Sequence, residues 1–231
     1  MTDGYMFDIP SVPALRIAGD ERLFPVRRIF CVGRNYAEHA AEMGGEVDPE
    51  APFYFTKSAF SLCSGGAEIS YPSGTENCHY EMEFVVAIGG KLEEPAASGA
   101  MNAVFGYGCG IDLTRRDLQS DAKEKRRPWD LGKDFENSAV VGPLTPARGF
   151  GEIANQRITL RHNGEVVQNA ALSDMVWPVP EIMAHLSGFY RLMPGDMIMT
   201  GTPAGVGPIR RGSVLEGAID GLEPVLLKIK Q

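Results

Sequence analysis

The chain reads as a β-rich mixed α/β protein, one domain with few peripheral helices. Three observations predict this. Runs of strand character outnumber runs with a helical period. No regular β-α-β alternation appears. No linker divides the 231 residues. A dinucleotide fold is unsupported, because no G-x-G-x-x-G follows a strand at the start of a helix. Neither a G-x-S-x-G elbow nor a Walker loop occurs.

The elements follow in order. Residues 1–26 are rich in proline and mixed polar residues without a clear period, and are expected to form an arm over a catalytic domain spanning 27–231. Residues 28–33 are strand-like and end at a glycine. Residues 36–43 have the length of a short helix. Residues 44–52 carry Gly44-Gly45, two prolines and three acids, and read as a mobile loop. Strands are expected at 52–56 and 67–71. Residues 81–88 alternate acid and apolar side chains, turn fully apolar, and close at Gly89-Gly90, which is a strand signal. A helix is expected at 96–103 and a buried, glycine-containing strand at 104–113. Residues 114–126 read as a charged helix, capped by Thr114 with Asp117 at the third position. Asn163-Gly164 between 158–161 and 166–168 marks a hairpin turn. Residues 180–191 are the best amphipathic helix, with Ile182, His185, Leu186 and Phe189 at helical spacing. Gly195-Asp196 is a turn before a strand at 197–200, and two short strands finish the chain.

Composition narrows the function. A hydrophobic fraction of 44% with 23% charged residues is ordinary globular composition. No apolar run approaches the roughly 18 residues of a membrane span. The first residues lack the pattern of a secretory signal, so a cytoplasmic protein is expected. The formal charge of −8 argues against nucleic acid or an anionic membrane as a partner. It leaves room for a small anionic substrate, provided positive charge is supplied locally. Cys31, Cys63, Cys78 and Cys109 form no C-x-x-C pair, so neither a zinc ribbon nor a disulfide framework is expected. Cys31 and Cys109 read as small buried hydrophobes.

Glu81 and Glu83 are two apart in a strand-like run, so both side chains share one face while Met82 and Phe84 face the core. Two carboxylates on a mostly apolar strand are costly unless compensated. A divalent cation compensates them efficiently, and magnesium or manganese favours such oxygen ligands. Asp112, at the end of the near-apolar run 106–111, is the natural third ligand. Spacing alone leaves another reading open, in which the two glutamates sit on the solvent face of an edge strand and Asp112 caps a helix.

Four segments, in this order, carry a more specific signal. They are Gly33-Arg34-Asn35-Tyr36, His79-Tyr80-Glu81-Met82-Glu83, the run Gly110 to Gln119 (GIDLTRRDLQ), and Thr200-Gly201-Thr202-Pro203-Ala204-Gly205-Val206-Gly207. Together they resemble the fumarylacetoacetate hydrolase family over about residues 27–230. The segments 127–135 (RPWDLGKDF) and 175–182 (MVWPVPEI) are closest to its bacterial fumarylpyruvate hydrolases and short acylpyruvases. The resemblance implies a β-sandwich roll fold, a homodimer, and one magnesium or manganese ion held by Glu81, Glu83 and Asp112.

His39 and Glu42, three apart, would share one helix face within reach of each other. A carboxylate beside an imidazole raises its basicity. Spacing alone also fits a surface pair. The resemblance implies a dyad on a lid that activates water, with Gly44-Gly45 suited to the motion. It further implies that Lys133 contacts substrate oxygens and that Arg116, Gln119 and Thr202 hold the substrate carboxylate. Arg34, Lys57 and Arg161 are candidate partners for a distal carboxylate. His79 could support the triad, His162 is expected to be solvated, and His185 to be a packing residue.

The implied reaction is metal-dependent hydrolysis of the C–C bond of an acylpyruvate, with fumarylpyruvate giving fumarate and pyruvate. The 2-oxo acid would be chelated on the metal, His39 and Glu42 would activate water, and Lys133 would stabilise the departing enolate. Decarboxylation of oxaloacetate, or decarboxylation or isomerisation of a related 2-oxo dicarboxylate, would use the same site. A metal-binding module without catalysis is the alternative of another class, and His39, Glu42 and Lys133 together argue against it.

Overall fold

The computed structural model describes residues 4–8, 10–93 and 97–231. Its centre is a large mixed sheet. The spatial order is Phe53–Lys57, Arg28–Gly33, Asp196–Met199, Met82–Ile88, Val104–Asp112, Ala139–Val141 and Leu62–Ser64, with Thr145–Pro146 pairing the far end of Val104–Asp112. A second sheet runs Glu165–Ala171, Arg157–His162, Val214–Ile219, Val225–Ile229 and Ala67–Ile69. A small third sheet joins Thr114–Arg115, Cys78–Tyr80 and Gly207–Pro208. The expected β-rich roll with few helices is what forms.

Alternation explains how the layers stack. Met82, Phe84, Val86 and Ile88 point into the main core, where Ile158, Leu160, Leu215 and Leu227 of the second sheet meet them. Val85 and Ala87 point the other way, into a second core with Ile29, Cys31, Met197 and Met199. Each fully buried side chain of this kind contributes about 1.5–3 kcal/mol. Glycine permits close packing on that second face. A Cβ on Gly110 would lie 2.6 Å from Val85 Cγ2.

The region 1–26 contains more order than its lack of period suggests. Ala14–Ile17 pairs antiparallel with Asp20–Pro25, turning at Gly19 (φ 73°). The hairpin delivers Leu15, Phe24 and Val26 into the second core. Residues 1–3 and 9 lie outside the described residues.

Other elements depart from expectation at their ends. The helix expected at 96–103 is Ala97–Ala100 followed by a 3-10 turn, Met101–Ala103, and residue 96 is outside the described residues. The charged helix is Arg116–Glu124, and Arg115 precedes it. Thr114 does not cap it, because it lies in a short strand paired with His79. Asp117 instead accepts hydrogen bonds from Thr75 Oγ1 at 2.6 Å and the Glu76 amide at 3.0 Å. The amphipathic helix is Val179–Ser187. Phe189 lies beyond its end and is 71% exposed, because the chain turns at Gly188 before the apolar stripe reaches it. The Asn163-Gly164 hairpin forms as read, with φ of 52° and 87°. All four cysteines are free and buried. Among the described residues, no helix is long and apolar enough to cross a membrane.

Candidate active site

The antiparallel register between Met82–Ile88 and Val104–Asp112 sets Met82 opposite Ile111, and the Asp112 amide donates to the Glu81 carbonyl at 2.8 Å. This pairing places Asp112 across from Glu81 at the end of the sheet. One ligand oxygen from each of Glu81, Glu83 and Asp112 lies within 4.8 Å of the others. All three are buried, at 4%, 1% and 0% exposure. The strand is central, so the solvated edge-strand reading of the two glutamates does not hold.

Three cations surround these carboxylates. Lys133 Nζ donates to Glu81 Oε2 at 2.8 Å, Asp112 Oδ2 at 2.6 Å and Thr114 Oγ1 at 2.7 Å, which uses all its protons. Arg116 donates to Glu81 Oε1 and, at 2.6 Å, to Gln119 Oε1. Lys57 Nζ lies 2.8 Å from Asp112 Oδ1. Its three protons go to the Leu113 and Lys133 carbonyls and Ser138 Oγ. Oδ1 therefore receives the charge of Lys57 but no aligned hydrogen bond.

The electrostatics separate the three acids. Burial disfavours ionisation of Glu81, yet Lys133 and Arg116 outweigh it and hold its carboxyl well below the usual range. Burial, reinforced by Asp112 and Glu81, pushes Glu83 well above that range. Glu83 makes no ion pair among the described residues, and its Oε2 accepts from the Gly201 amide at 2.8 Å. Burial would depress Lys133, but Asp112 and Glu81 keep its ammonium above its ordinary value. An all-oxygen donor set, an unaligned buried oxygen on Asp112 and a glutamate without its own cation fit a divalent ion.

The rest of the cavity converges from distant segments. The walls of this narrow cavity include Arg34, His39, Arg116, Gln119, Lys133 and Thr202. His39 is buried, on the short helix Ala37–Glu42, and its Nδ1 lies 3.1 Å from Glu42 Oε2. Glu42 in turn accepts from the Gly205 amide at 3.1 Å. Gly205 has φ +96°, and a Cβ there would collide with the Val167 carbonyl oxygen. Asn35, fully buried, ties the approach to this helix in place. It donates to the Trp177 and Thr200 carbonyls and accepts from the Trp177 amide at 2.7 Å. Trp177 Nε1 donates to the Asp48 carbonyl, anchoring the loop expected to be mobile.

Some sequence readings change. Lys57 is 3% exposed and braces Asp112 from behind, so it cannot meet a distal carboxylate. Arg161 lies on the hairpin, where it donates to the Gly164 carbonyl away from the cavity. His162 is half-buried, with Nε2 2.8 Å from Ser213 Oγ and its ring against Tyr80. Lys133 lines the cavity, with its protons engaged by Glu81, Asp112 and Thr114 Oγ1. Gln168, missed in the sequence, is 1% exposed and joins the Met82 amide to Thr202 Oγ1 at 2.9 Å each. Only its place in a strand that otherwise reads half-exposed marks it. Lys123 was also missed. It lines the cavity about two helical turns beyond Arg116.

Comparison with known proteins agrees with this geometry. The model of the fumarylacetoacetate (FAA) hydrolase C-terminal domain matches residues 28–228. A fumarylpyruvate hydrolase from Ralstonia sp is 42% identical over 189 residues, 81% of this chain and 98% of that protein. The oxaloacetate tautomerase YcgM of Escherichia coli K12 is 38% identical over 199 residues, 86% of this chain and 90% of that protein. The crystal structure of fumarylpyruvate hydrolase from Pseudomonas aeruginosa in complex with Mn2+ and pyruvate superposes with a TM-score of 0.94 at 43% identity, covering 98% of this chain and 99% of that one. By sequence along nearly its whole length and by fold, this chain belongs to the fumarylacetoacetate hydrolase family.

Proposed function

We propose that this protein hydrolyses the C–C bond of an acylpyruvate, with fumarylpyruvate the best-supported substrate. The observation that carries the reading is the convergence of the His39–Glu42 pair and the three-carboxylate cluster on one cavity. Glu81, Glu83 and Asp112 would hold magnesium or manganese, which when bound supplies Lewis-acid polarisation of the 2-oxo acid. The Mn2+ and pyruvate of the Pseudomonas structure support that choice.

The chain's own groups do the rest. Arg116, Gln119 and Thr202 orient the substrate carboxylate. Glu42 fixes the imidazole so that His39 Nε2 takes a proton from water. The hydroxide forms a C–O bond to the distal ketone carbon. The adjacent C–C bond breaks, its electron pair passing into the pyruvate enolate. His39 returns the proton to the enolate carbon, giving a carboxylic acid and pyruvate. Lys133 exchanges one carboxylate contact for the developing enolate oxygen.

Oxaloacetate tautomerisation is the second reading, favoured by the 38% identity to the Escherichia coli enzyme. It needs a proton shuttle but no attacking water. The separating experiment is turnover of fumarylpyruvate, acetylpyruvate and oxaloacetate by magnesium-loaded protein, with the fate of each substrate followed by NMR. Cleavage of fumarylpyruvate to two acids supports the hydrolase. Enol–keto exchange of oxaloacetate without acylpyruvate cleavage replaces it with the tautomerase.

A further inference from the structure

The Arg116–Glu124 helix sends Arg116, Gln119 and Lys123 into the cavity wall, the i, i+3, i+7 stripe of one helical face. Lys123 has no role in the chemistry above. Its ammonium lies 5.1 Å from the ring centre of Trp129, another residue of that wall. Among the described residues it makes no ion pair. Its neighbours three and four positions away are Gln119, Ser120, Arg126 and Arg127, none of them acidic. It is therefore not half of the acid–base pairs that cover solvated helix faces, as Lys125 is with Asp121. Arg34 lines the same cavity, also without an acidic partner among the described residues. Its backbone is held at φ 57°, a conformation uncommon outside glycine that tends to persist at functional sites.

Lys123 is half-buried. Burial, then Arg116 and Arg34, hold its ammonium below the ordinary lysine value. Arg116 is already paired with Glu81, whereas Lys123 and Arg34, like charges on the same wall without acidic partners among the described residues, attract an anion. The spacing sets how long that anion must be. Seven residues of helix separate Arg116 from Lys123 by about 10 Å along the axis. A six-bond chain between two carboxyl carbons spans about 7 Å when extended. A contact of about 2.8 Å at the far end completes the distance. A three-bond separation, as in oxaloacetate, covers about half of that span.

We propose that Lys123, with Arg34, binds the far carboxylate of a dianionic 2-oxo acid whose two carboxylates lie about six bonds apart. This rests on the reading that the 2-oxo acid head sits at the carboxylate cluster. It assigns the cavity to long acylpyruvates bearing a terminal carboxylate.

The test is calorimetric binding to the magnesium-loaded full chain of two non-cleavable probes, 2-oxoheptanedioate and 2-oxoheptanoate, which differ only in the terminal carboxylate. The wild type is expected to favour the dianion by about tenfold to a hundredfold. In Lys123→Gln that ratio should fall at least tenfold, and Lys123→Arg should restore most of it. A wild type that binds the two probes equally, or binds neither, overturns the proposal. So does a Gln variant with the wild-type ratio. If acylpyruvates are not cleaved but the ratio still depends on Lys123, the reaction is wrong and the anion site stands. If they are cleaved and the ratio is unmoved, the anion site alone is wrong.

Discussion

The Nζ of Lys57 lies 2.8 Å from Oδ1 of Asp112, and neither side chain reaches solvent. The lysine comes from the edge strand of the large sheet and the aspartate from an inner strand, so their pairing ties the sheet edge to the carboxylate cluster.

Removing Lys57 leaves buried Asp112 with Lys133 as its one remaining cation among the described residues, and leaves its Oδ1 without a charge beside it. Lys57→Met is expected to lower the stability of metal-free protein by about 3 kcal/mol in urea unfolding. Saturating magnesium should return part of the loss. A variant as stable as the wild type would show that Asp112 does not rely on Lys57.

Glu83 should set the pH response of the metal-free protein. Its folded-state carboxyl titrates above the usual glutamate value, because burial, Asp112 and Glu81 oppose its ionisation. The stability it contributes is present below the ordinary glutamate pKa and is lost as pH rises through the raised folded value. EDTA-treated wild type should therefore lose stability across that window, while Glu83→Gln should flatten the loss and weaken metal binding. Metal at 100 times its Kd should stabilise the wild type by about 2.7 kcal/mol. Thermal melts with and without EDTA across a pH series check all three statements.

His39→Ala should reduce kcat for acylpyruvate cleavage by about 10²–10⁴-fold while leaving metal affinity near that of wild type. Glu42→Gln should cost less, since an amide oxygen can still accept from the imidazole and from the Gly205 amide. Steady-state kinetics paired with metal titration read this out. An alanine variant that turns over normally would remove His39 from the chemistry.

Gly205 supports Glu42 through its amide and holds φ +96° beside the Val167 carbonyl. Gly205→Ala adds a Cβ where the backbone already stands and is expected to cost about 1–3 kcal/mol. It should also lower kcat/KM by displacing Glu42. A stable variant with full activity would show that this loop can relax without consequence.

Local pattern carried much of the fold. Period-two alternation marked Met82–Ile88, and Asn163-Gly164 marked its hairpin, because both are decided by neighbouring residues. The N-terminal hairpin escaped because its strands are short, with Leu15 and Ile17 in one and Phe24 in the other facing the core, and because Ala18-Gly19 lacks the Asn-Gly or Asp-Gly signature of a hairpin turn. The three carboxylates were legible because acids on an apolar strand need a reason to be there. Lys57 was not, since its meaning depends on Asp112, 55 positions away in sequence. Lys123 was within reach, because the stripe that gives Arg116 and Gln119 extends by one step of helical period to it.

The cations around the triad also bear on how the protein comes to hold its metal. Lys57, Lys133 and Arg116 pair with Glu81 and Asp112, while burial and those two acids oppose a charge on Glu83. The fold thus carries its own cations to the cluster, so refolding from urea is expected to proceed in EDTA as well as in magnesium. Folding and metal loading would then be separable events. Which ion the site carries would follow from the ions the folded protein meets, and one preparation stripped by a chelator is expected to accept magnesium or manganese in turn.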